Sequence, residues 1–476
     1  MMNDINNSTP RWPLKTERLE VQQKLNEALA DAIDAVQAGC VAPPTNPAEL
    51  RCKLGQFDFK RPIEMLCASG QVIELLQSGM VHMMHPAHFG LFNPSVAFPG
   101  VLADQIAAHF NPQLAVWSHA PAAVEIERHT IEAMGGLVGW SSDETSGHFT
   151  SGGAEANYSA VLMALTKACP EYAESGATAF GGTPCIYVSA ESHLAWLKIA
   201  HQAGIGRTAV RLIPTDGMGR LDVKALETLV SDDVSAGNIP VFMGATAGTT
   251  NAGMIDPLSE CHAICRDNDI WFHVDAAWGG AGLLNEEAAR HLKGIKEADS
   301  ITLDAHKWFA VPMGAGIFLC RDEGLLGETF RVAASYMPES TEDGIDPYTH
   351  SLQWSRRFIG LKLFMSLACM GWDGYRRHVG HALRMADRLK SELGKNGWRI
   401  ENDSPLAVIC FVDGQGQADP VRTAADVVES GRAWLSSAKF EGQSVLRACI
   451  TSHFTREEHI GILVDELNRS RVTQCR

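Results

Sequence analysis

The sequence predicts an α/β fold with a mostly parallel sheet that helices cover on both faces. From about residue 100 onward, short apolar runs of strand length alternate with segments of helical periodicity. Strands that are separated by helices in this way form parallel βαβ units. The predicted strands are residues 185–188, 209–213, 240–243, 270–274, 301–303 and 316–319.

Helical segments precede this region, and a second α/β pattern follows it. Residues 19–38 carry apolar side chains near helical spacing, and a second helix is predicted over residues 62–78. Between these helices, the prolines of residues 42–47 break the pattern. Near the other end of the chain, a long helical pattern leads into two strand-like runs, 407–412 and 444–450. These runs predict a smaller C-terminal α/β domain.

Composition and charge narrow the class of protein. The chain has 476 residues, 45% of them hydrophobic and 20% charged, which is enough for two or three domains with a large core. The formal net charge is −16 and no basic tract occurs, which argues against nucleic acid or an anionic membrane as a partner. We find no signal segment, no membrane-spanning run, and 12 cysteines without a repeating spacing. We therefore expect a cytoplasmic protein with reduced thiols.

Lys307 and Asp275 are the most informative pair of residues. Lys307 follows the apolar run 301–303 and Asp275 follows the run 270–274, so each stands near the end of a predicted strand. In parallel α/β folds, ligands gather at the carboxyl ends of strands. A lysine amine can form an imine with the aldehyde of pyridoxal 5'-phosphate (PLP), and a carboxylate can pair with its ring nitrogen. Asp275 alone could be a helix cap or a turn residue, but the pair predicts a PLP site with Ala277 under one ring face.

A glycine-rich segment supplies a candidate phosphate site. Phosphate binds backbone N–H groups at a helix start, where few side chains intervene. Ser151, Gly152, Gly153 and Ala154 precede a helical pattern and offer such a start. Ser-Gly-Gly also occurs in ordinary turns, so the segment indicates a phosphate site only together with Asp275 and Lys307.

Three further polar residues stand near predicted strand ends. His193 begins a predicted helix after the run 185–188 and could stack on the other face of the cofactor ring or have no chemical role. Thr246 could bind the ring hydroxyl or carboxylate region, or serve as a turn hydroxyl. His306 could donate to the phosphate or be a polar residue in a tight turn.

The histidines do not predict a metal site. Three of them, between residues 82 and 88, are spaced like metal ligands, but Pro86 breaks any shared helix face and no carboxylate or cysteine accompanies them. We interpret this segment as a loop that lines a cleft. His378 and His381 are interpreted as solvent-facing residues of a helix.

Longer motifs extend along nearly the whole chain, from about residue 15 to about residue 465. They are WSHAPAAVEIE at 117–127, SGGA at 151–154, ESH at 191–193, TAGTT at 246–250, HVDAA at 273–277, HKW at 306–308, RRFIGLK at 356–362 and VLR at 445–447. In these motifs the chain resembles group II PLP-dependent amino acid decarboxylases, the family of aromatic-L-amino-acid and glutamate decarboxylases.

The resemblance implies a type I PLP-dependent transferase fold with a mostly parallel seven-stranded sheet. It implies an N-terminal helical segment over residues 1–98 that wraps the dimer partner, a large PLP-binding domain over 99–365 and a small C-terminal domain over 366–476. It also implies a homodimer whose active sites lie at the subunit interface.

The resemblance assigns roles to single residues. Lys307 becomes the residue that links to the cofactor, Asp275 the partner of the pyridine nitrogen, and His193 the ring-stacking group. Arg447 falls where the family has an arginine near the substrate α-carboxylate. The predicted cofactor contacts are Ser151, Gly152, Gly153, Ala154, His193, Thr246, Asp275, Ala277, Asp304, His306 and Lys307. The predicted catalytic residues are Lys307, Asp275, His193, Tyr336 and Thr246.

Tyr336 lies in a polar stretch that contains glycine and proline, as expected of a mobile lid. Related decarboxylases carry a loop tyrosine at this place, which is thought to protonate the α-carbon after CO2 leaves. Related aldehyde synthases have phenylalanine instead. The other interpretation of Tyr336 is a surface tyrosine in a loop.

The substrate is less well defined than the cofactor. Phe92 and Trp117 favour an aromatic or hydrophobic side chain. Asp304, however, stands where animal aromatic decarboxylases have asparagine, and it resembles other branches of the superfamily. It therefore leaves open a decarboxylase of an acidic amino acid, or a carbon–carbon lyase of the sphingosine-phosphate-lyase type.

Our hypothesis is an enzyme that removes CO2 from an L-amino acid. The substrate amine displaces Lys307, and after CO2 leaves, Tyr336, or His193 through water, protonates the α-carbon. A catalytically silent protein that uses the fold as a scaffold is the non-enzymatic alternative. The intact set of Lys307, Asp275 and His193 argues against it.

Overall fold

The computed structural model describes residues 13–332 and 344–475, and its centre is a seven-stranded sheet. The strands of this sheet are β1 (Ser146–Thr150), β2 (Pro184–Ser189), β3 (Val210–Ile213), β4 (Ile239–Thr246), β5 (Trp271–Asp275), β6 (Ser300–Asp304) and β7 (Gly316–Cys320). They lie in the order β1-β7-β6-β5-β4-β2-β3.

The sheet is mostly parallel, as predicted. Strands β3, β2, β4, β5 and β6 run in one direction, and β7 pairs antiparallel with β6. Strand β1 pairs antiparallel with β7, so it points the same way as β6. Thr150 and Asp304 both pair with Gly316, which places the carboxyl ends of β1 and β6 at the same edge of the sheet.

Helices surround this sheet and extend beyond it at both ends. They are α1 (Lys15–Ala38), α2 (Pro47–Leu54), α3 (Met65–Gly79), α4 (Phe98–Phe110), α5 (Pro121–Val138), α6 (Gly153–Ala168), α7 (Tyr172–Ser175), α8 (Ala195–Gln202), α9 (Val223–Ser235), α10 (Leu258–Asp267), α11 (Glu286–His291), α12 (Glu323–Phe330), α13 (Leu361–Lys395), α14 (Pro420–Glu429) and α15 (Glu457–Gln474). Over the described ranges, no helix combines the length and the apolar character needed to cross a membrane.

Both faces of the sheet are buried. Along β2, Tyr187 enters one hydrophobic cluster, whereas its neighbours Ile186 and Val188 enter another. Because successive side chains of a strand point to opposite faces, the two clusters lie on the two sides of the sheet. This explains why the central strands are continuous apolar runs and not alternating patterns.

A smaller antiparallel sheet follows α13. Its strands are β8 (Trp398–Ile400), β9 (Val408–Asp413), β10 (Ser436–Phe440) and β11 (Gln443–Cys449), in the order β10-β11-β9-β8. Asn402 and Ser404 each donate a 2.7 Å hydrogen bond to the carbonyls of Ala252 and Gly253, which join this sheet to the loop after β4. The smaller C-terminal unit therefore contacts the end of a central strand. The domain boundaries at residues 98 and 365 stay predictions.

The structure corrects the prediction for His378. This side chain is buried in α13, with its ring centroid 6.0 Å from that of His453, and is not solvent-facing. The helix packs against the segment after β11, where His381 Nε2 also donates to the carbonyl of Thr455 over 2.9 Å. Within residues 13–332 and 344–475, no group of three or more His, Cys, Asp or Glu residues could hold a metal ion.

Candidate active site

A cavity opens at the carboxyl edge of the central sheet. Thr246 and Asp275 are register partners at the ends of β4 and β5, and Asp304 ends β6 beside them. The described residues that line the cavity are Phe92, Gly153, Ala154, Asn157, His193, Thr246, Gly248, Thr250, Asp275, Ala277, Trp278, Asp304 and Lys307. The sheet thus brings together the lysine, the carboxylate and the glycine-rich helix start, which lie far apart in the sequence.

Lys307 projects into the cavity from the tight turn after β6. Its backbone N–H bonds to the carbonyl of Asp304 over 3.1 Å, and its side-chain amine lies 2.9 Å from Asp304 Oδ2. The same amine is 5.6 Å from the centroid of the Phe92 ring. The lysine is therefore held by a buried carboxylate on one side and an aromatic ring on the other.

Asp275 is buried at the floor of the cavity. Its Oδ1 accepts a 3.1 Å hydrogen bond from the backbone N–H of Ala277, and its Oδ2 accepts a 2.9 Å hydrogen bond from Asn157 Nδ2. No lysine or arginine in the described part of the chain forms an ion pair with it. A buried carboxylate without a cation is costly, so this site is suited to a ligand that brings a positive charge.

Small side chains leave room for a flat ring between Asp275 and the start of α6. A Cβ atom added to Gly153 would lie 3.1 Å from Asp304 Oδ2 and 3.3 Å from Ala277 Cβ. Thr246 Oγ1 is buried and has no hydrogen-bond partner among the described residues. PLP requires a lysine, a carboxylate for its cationic ring nitrogen, a free hydroxyl and small side chains around the ring. The residues present fit this cofactor.

Thr246 is itself held by a second buried carboxylate. Its backbone N–H donates to Asp256 Oδ2 over 2.7 Å, and the other oxygen of Asp256 accepts from the N–H of Leu221 over 2.8 Å. Burial raises the pKa of Asp256 to about 6. Asp256 thus links the end of β4 to Leu221 and fixes the position of the free Thr246 hydroxyl.

The glycine-rich segment caps α6 at the same edge. Gly152 is the N-cap residue, and a Cβ atom on Gly316 would come within 2.6 Å of its carbonyl carbon, so this close approach requires glycine. The N–H and the hydroxyl of Ser151 both donate to Glu155 Oε2, over 2.8 and 2.6 Å. The helix start therefore presents N–H groups with little side chain in the way, as phosphate binding needs.

His306 and His193 flank this region. His306 Nδ1 accepts from the N–H of Ala315 over 3.2 Å, and burial lowers the pKa of the His306 imidazole. His193 is exposed at the cavity mouth, and its Nδ1 accepts from the N–H of Ala195 over 3.1 Å. Helix α8 begins at Ala195, so His193 precedes the helix that it was predicted to begin.

Aromatic rings form one wall of the cavity. Phe92 stacks on Trp278 with ring centroids 4.5 Å apart, and Trp278 stacks on Trp308 at the same distance. The guanidinium of Arg447 covers Phe92 at 4.8 Å. Arg447 Nε donates to the carbonyls of Thr250 and Asn251 over 3.0 and 3.1 Å. The predicted carboxylate-binding arginine thus lies behind Phe92, at the junction with the smaller sheet.

Ser151, Gly152, His306 and Arg447 adjoin lining residues without lining the cavity themselves, and Trp117 is not among the lining residues either. Trp117 donates its backbone N–H to Asp346 and its indole N–H to Glu125, over 2.8 and 2.9 Å, and packs beside the cluster shared by α4, α5 and α13. Tyr336 lies outside the described residues. The roles of Trp117 and Tyr336 stay predictions.

Several residues of the site had no predicted role. Asn157, Gly248, Thr250 and Trp278 line the cavity, and His273 lies behind Asp275. Asn157 had a detectable signal, because it stands four residues after Gly153 and therefore on the same face of α6. His273 in the middle of an apolar strand had no comparable signal.

Comparison with known proteins agrees with this geometry. The family model described as the pyridoxal-dependent decarboxylase conserved domain matches residues 58–412. An aromatic-L-amino-acid decarboxylase of Bacillus atrophaeus is 30% identical over 399 residues, which are 81% of each chain. An acidic amino acid decarboxylase of Bos taurus is 31% identical over 334 residues, which are 69% of this chain and 63% of the bovine one.

Solved structures confirm the predicted type I fold. Oryza sativa TDC, solved with PLP and tryptamine, superposes with a TM-score of 0.91 at 22% identity and covers 98% of this chain and 100% of its own. The fold, the fit of the cavity to PLP and the family model lead to one assignment. The chain belongs to the pyridoxal-dependent decarboxylase family.

Proposed function

We propose that this PLP-dependent enzyme converts an L-amino acid with an aromatic or other hydrophobic side chain into the corresponding amine and CO2. The observation that carries the proposal is the composition of the cavity. Lys307 and Asp275 lie at the ends of adjacent strands, and the rings of Phe92 and Trp278 line the cavity beside them.

The chain's own residues would hold the cofactor at both ends. Asp275 offers a carboxylate to the ring nitrogen, and the N–H groups at the start of α6, around Gly152 and Gly153, offer an anion site for the phosphate. Lys307 supplies the amine that links to the cofactor. When bound, PLP withdraws electrons from the α-carbon of the substrate, which makes loss of its carboxylate possible.

Arg447 is the proposed partner of the substrate carboxylate. It is buried, and its Nη2 has no hydrogen-bond partner in the described part of the chain. A guanidinium can bind a carboxylate through two parallel hydrogen bonds. Holding the carboxylate in one orientation favours cleavage of the bond between it and the α-carbon over loss of the α-proton.

The charge of the cavity favours an apolar substrate side chain. Among the described lining residues, Lys307 is the only lysine or arginine, and Asp304 already pairs with it. An acidic side chain would find no second cation there. The bovine relative is named as an acidic amino acid decarboxylase, so substrates of that class are the alternative that the experiment must separate.

A product screen tests the proposal. The PLP-loaded enzyme is incubated with L-tyrosine, L-phenylalanine, L-tryptophan, L-aspartate and L-glutamate, and amine and CO2 are quantified. We expect equal amounts of amine and CO2, and kcat/KM at least tenfold higher for an aromatic substrate. Higher kcat/KM for aspartate or glutamate would overturn the aromatic assignment. A phosphorylated amino alcohol is tested in a parallel reaction, and its cleavage in the absence of decarboxylation would identify a carbon–carbon lyase.

Tyr336 is proposed as the proton donor to the α-carbon. Its support is the resemblance to decarboxylases that carry a loop tyrosine at this place. Tyr336→Phe should therefore lower amine formation and release aldehyde and ammonia with consumption of O2. Unchanged amine formation by this variant would reject the role of Tyr336 and leave the cofactor site intact.

We also propose a homodimer with interfacial active sites, in which the N-terminal segment wraps the partner. Helix α4 exposes a stripe of apolar side chains, with Phe98 and Phe110 at its ends 68% and 81% exposed. Helix α1 buries only Ala32 within the subunit, and α3 buries none of its residues. Such faces are typical of subunit interfaces.

Light scattering coupled to size exclusion tests the dimer. The unmodified chain should have twice the mass of one subunit, and Phe98→Glu with Phe110→Glu should shift it toward the monomer. Val421→Glu, at an exposed valine of α14, is the control and should leave the mass unchanged. A monomeric unmodified chain would reject the proposal.

We also propose that the protein is cytoplasmic. All 12 cysteines are free, and six of them are exposed or partly exposed outside the two sheets: Cys40, Cys52, Cys67, Cys169, Cys369 and Cys475. Free thiols persist in a reducing compartment. Cell fractionation of the native source, with an antibody against the chain, checks this location.

A further inference from the structure

We infer that Trp271, Ser300, His273 and Asn157 form a buried relay of hydrogen bonds, directed throughout toward Asp275, that positions this carboxylate for the cofactor. The four are positioning residues, since only Asn157 reaches the cavity and only Asp275 would contact the ring nitrogen. The inference rests on the proposed role of Asp275.

The contacts form an unbroken chain. Trp271 Nε1 lies 2.8 Å from Ser300 Oγ, and Ser300 Oγ lies 2.8 Å from His273 Nδ1. His273 Nε2 lies 3.0 Å from Asn157 Oδ1, and Asn157 Nδ2 lies 2.9 Å from Asp275 Oδ2. Trp271, Ser300 and His273 belong to β5 and β6, whereas Asn157 comes from α6. The relay therefore joins two strands to the helix that begins at the predicted phosphate site.

The two ends of the relay determine its direction. An indole N–H can only donate, so Ser300 Oγ accepts from Trp271. An ionised carboxylate can only accept, so the Asn157 amide turns its NH2 group to Asp275 and its oxygen to His273. With the amide reversed, two acceptors would face each other. Asn157 Oδ1 then requires a hydrogen on His273 Nε2.

The middle of the relay follows from these ends. His273 is fully buried, and burial lowers the pKa of its imidazole to about 4, so the ring is neutral. A neutral imidazole with its hydrogen on Nε2 accepts at Nδ1. The Ser300 hydroxyl therefore donates to Nδ1 while it accepts from Trp271. Each polar group of the relay has one arrangement that satisfies it.

This arrangement has a consequence for Asp275. The carboxylate receives one directed hydrogen bond on each oxygen, from Asn157 on Oδ2 and from the Ala277 N–H on Oδ1. Together the two donors hold the plane of the carboxylate. A cofactor would then meet a carboxylate that is already oriented, which lowers the cost of ordering it on binding.

The chain offers a matched control for the first residue of the relay. Trp196 is also a buried tryptophan in contact with His273, with ring centroids 6.0 Å apart. Its indole N–H, unlike that of Trp271, has no hydrogen-bond partner among the described residues. Replacing either tryptophan with phenylalanine removes the same atoms from the core, but only Trp271→Phe removes a donor from the relay.

The tautomer of His273 is the first test. The full-length chain is labelled with ¹⁵N-histidine, and the ring nitrogens are observed by NMR before and after addition of PLP. The signal of His273 is identified by its loss in His273→Gln, or, should that variant not fold, by its shift in Ser300→Ala. We expect a protonated Nε2 and an unprotonated Nδ1 in both samples. A proton on Nδ1 alone, or on both nitrogens at pH 7.5, would overturn the relay.

Cofactor affinity is the second test, measured by fluorescence titration of the cofactor-free variants with PLP. Trp271→Phe should raise the dissociation constant about threefold or more, and Asn157→Leu, which removes a donor to a charged group, about tenfold or more. Trp196→Phe should stay within about twofold of the unmodified chain. Equal increases of the dissociation constant in Trp271→Phe and Trp196→Phe would indicate an effect of core packing alone and would overturn the relay.

Asp275→Asn separates failure of the relay from failure of the site. If this variant keeps the full affinity for PLP, the proposed role of Asp275 is wrong and the relay has no function. If it loses affinity while His273 carries its proton on Nδ1, the site stands and the relay is rejected.

Discussion

The carboxylate of Asp304 lies 2.9 Å from the amine of Lys307, and only 3% of the Asp304 side chain is exposed, against 22% for Lys307. The same oxygen of Asp304 is 3.1 Å from the position of a Cβ atom on Gly153, the first residue of α6. The other oxygen has no hydrogen-bond partner among the described residues. Lys307, the residue proposed to link to the cofactor, thus has its counter-ion beside the proposed phosphate site.

Removing this counter-ion should strengthen cofactor binding. Once Lys307 is linked, Asp304 is left as a buried negative charge near the phosphate. Asp304→Asn should therefore lower the dissociation constant of PLP about threefold to tenfold, which corresponds to roughly 1 kcal/mol. Absorbance or fluorescence titration measures it. Asp413→Asn, at a buried aspartate of the smaller sheet, is the control and should not change the affinity. Weaker binding by Asp304→Asn would contradict the prediction.

The same ion pair predicts a stability coupling. Lys307→Ala should abolish turnover and leave the chain folded, but it leaves the buried charge of Asp304 without a counter-ion. Adding Asp304→Asn to that variant should restore about 1–2 kcal/mol of unfolding free energy, less than for a fully buried pair because Lys307 is partly exposed. Urea denaturation of the cofactor-free chains measures the difference. Equal stability of Lys307→Ala and the double variant would contradict the prediction, because Asp304 would then cost nothing when Lys307 is absent.

Arg447 predicts a separation of substrate recognition from cofactor binding. A lysine at this position carries one point charge and cannot both bond to the carbonyls of Thr250 and Asn251 and offer a free nitrogen. Arg447→Lys should lower kcat/KM at least tenfold, or about 1.4 kcal/mol, with the dissociation constant of PLP unchanged. Arg399→Lys, on the exposed side of the smaller sheet, is the control. A loss of PLP affinity in Arg447→Lys would place the arginine at the cofactor instead.

The sequence predicted the parts of the fold that are buried on both faces. All six predicted strands are present in the central sheet, because their apolar runs reflect burial that holds wherever helices cover a sheet. Strand β1 was missed. Its residues, SGHFT, contain no such run, and it is defined by antiparallel pairing with β7, which is far away in sequence.

In the site, likewise, some residues could be predicted from the sequence and others could not. Lys307 and Asp275 could be predicted because strand ends are visible in the sequence and their chemistry is specific. The link from Asp275 through Asn157 to His273 could not, because it depends on how α6 packs against β5. His378 was placed in solvent because helical periodicity gives the face of a helix but not the partner that covers it.

His88 predicts an acid-sensitive core. The ring is buried and stacks on Trp434 with centroids 4.9 Å apart, and neither ring nitrogen has a hydrogen-bond partner in the described part of the chain. Burial lowers the pKa of His88 from 6.5 to about 4. Below pH 6.5 the unfolded chain binds a proton that the folded chain excludes, so the unfolding free energy is largest above pH 6.5 and declines as the pH falls toward 4. The slope is about 1.4 kcal/mol per pH unit.

His88→Phe should remove this slope and also the unpaired polar atoms. Phenylalanine can keep the stack on Trp434, so the unfolding free energy should rise by about 1 kcal/mol at pH 7, and by a further 1–2 kcal/mol relative to the unmodified chain at pH 5. Urea denaturation at pH 7 and pH 5 measures the unfolding free energy of both chains. His291→Phe, at an exposed histidine at the end of α11, controls for the loss of a titrating group in general. If His88→Phe destabilises the chain at pH 7, the nitrogens of His88 have partners that the described residues do not include, and the ring is held by hydrogen bonds and not by stacking alone.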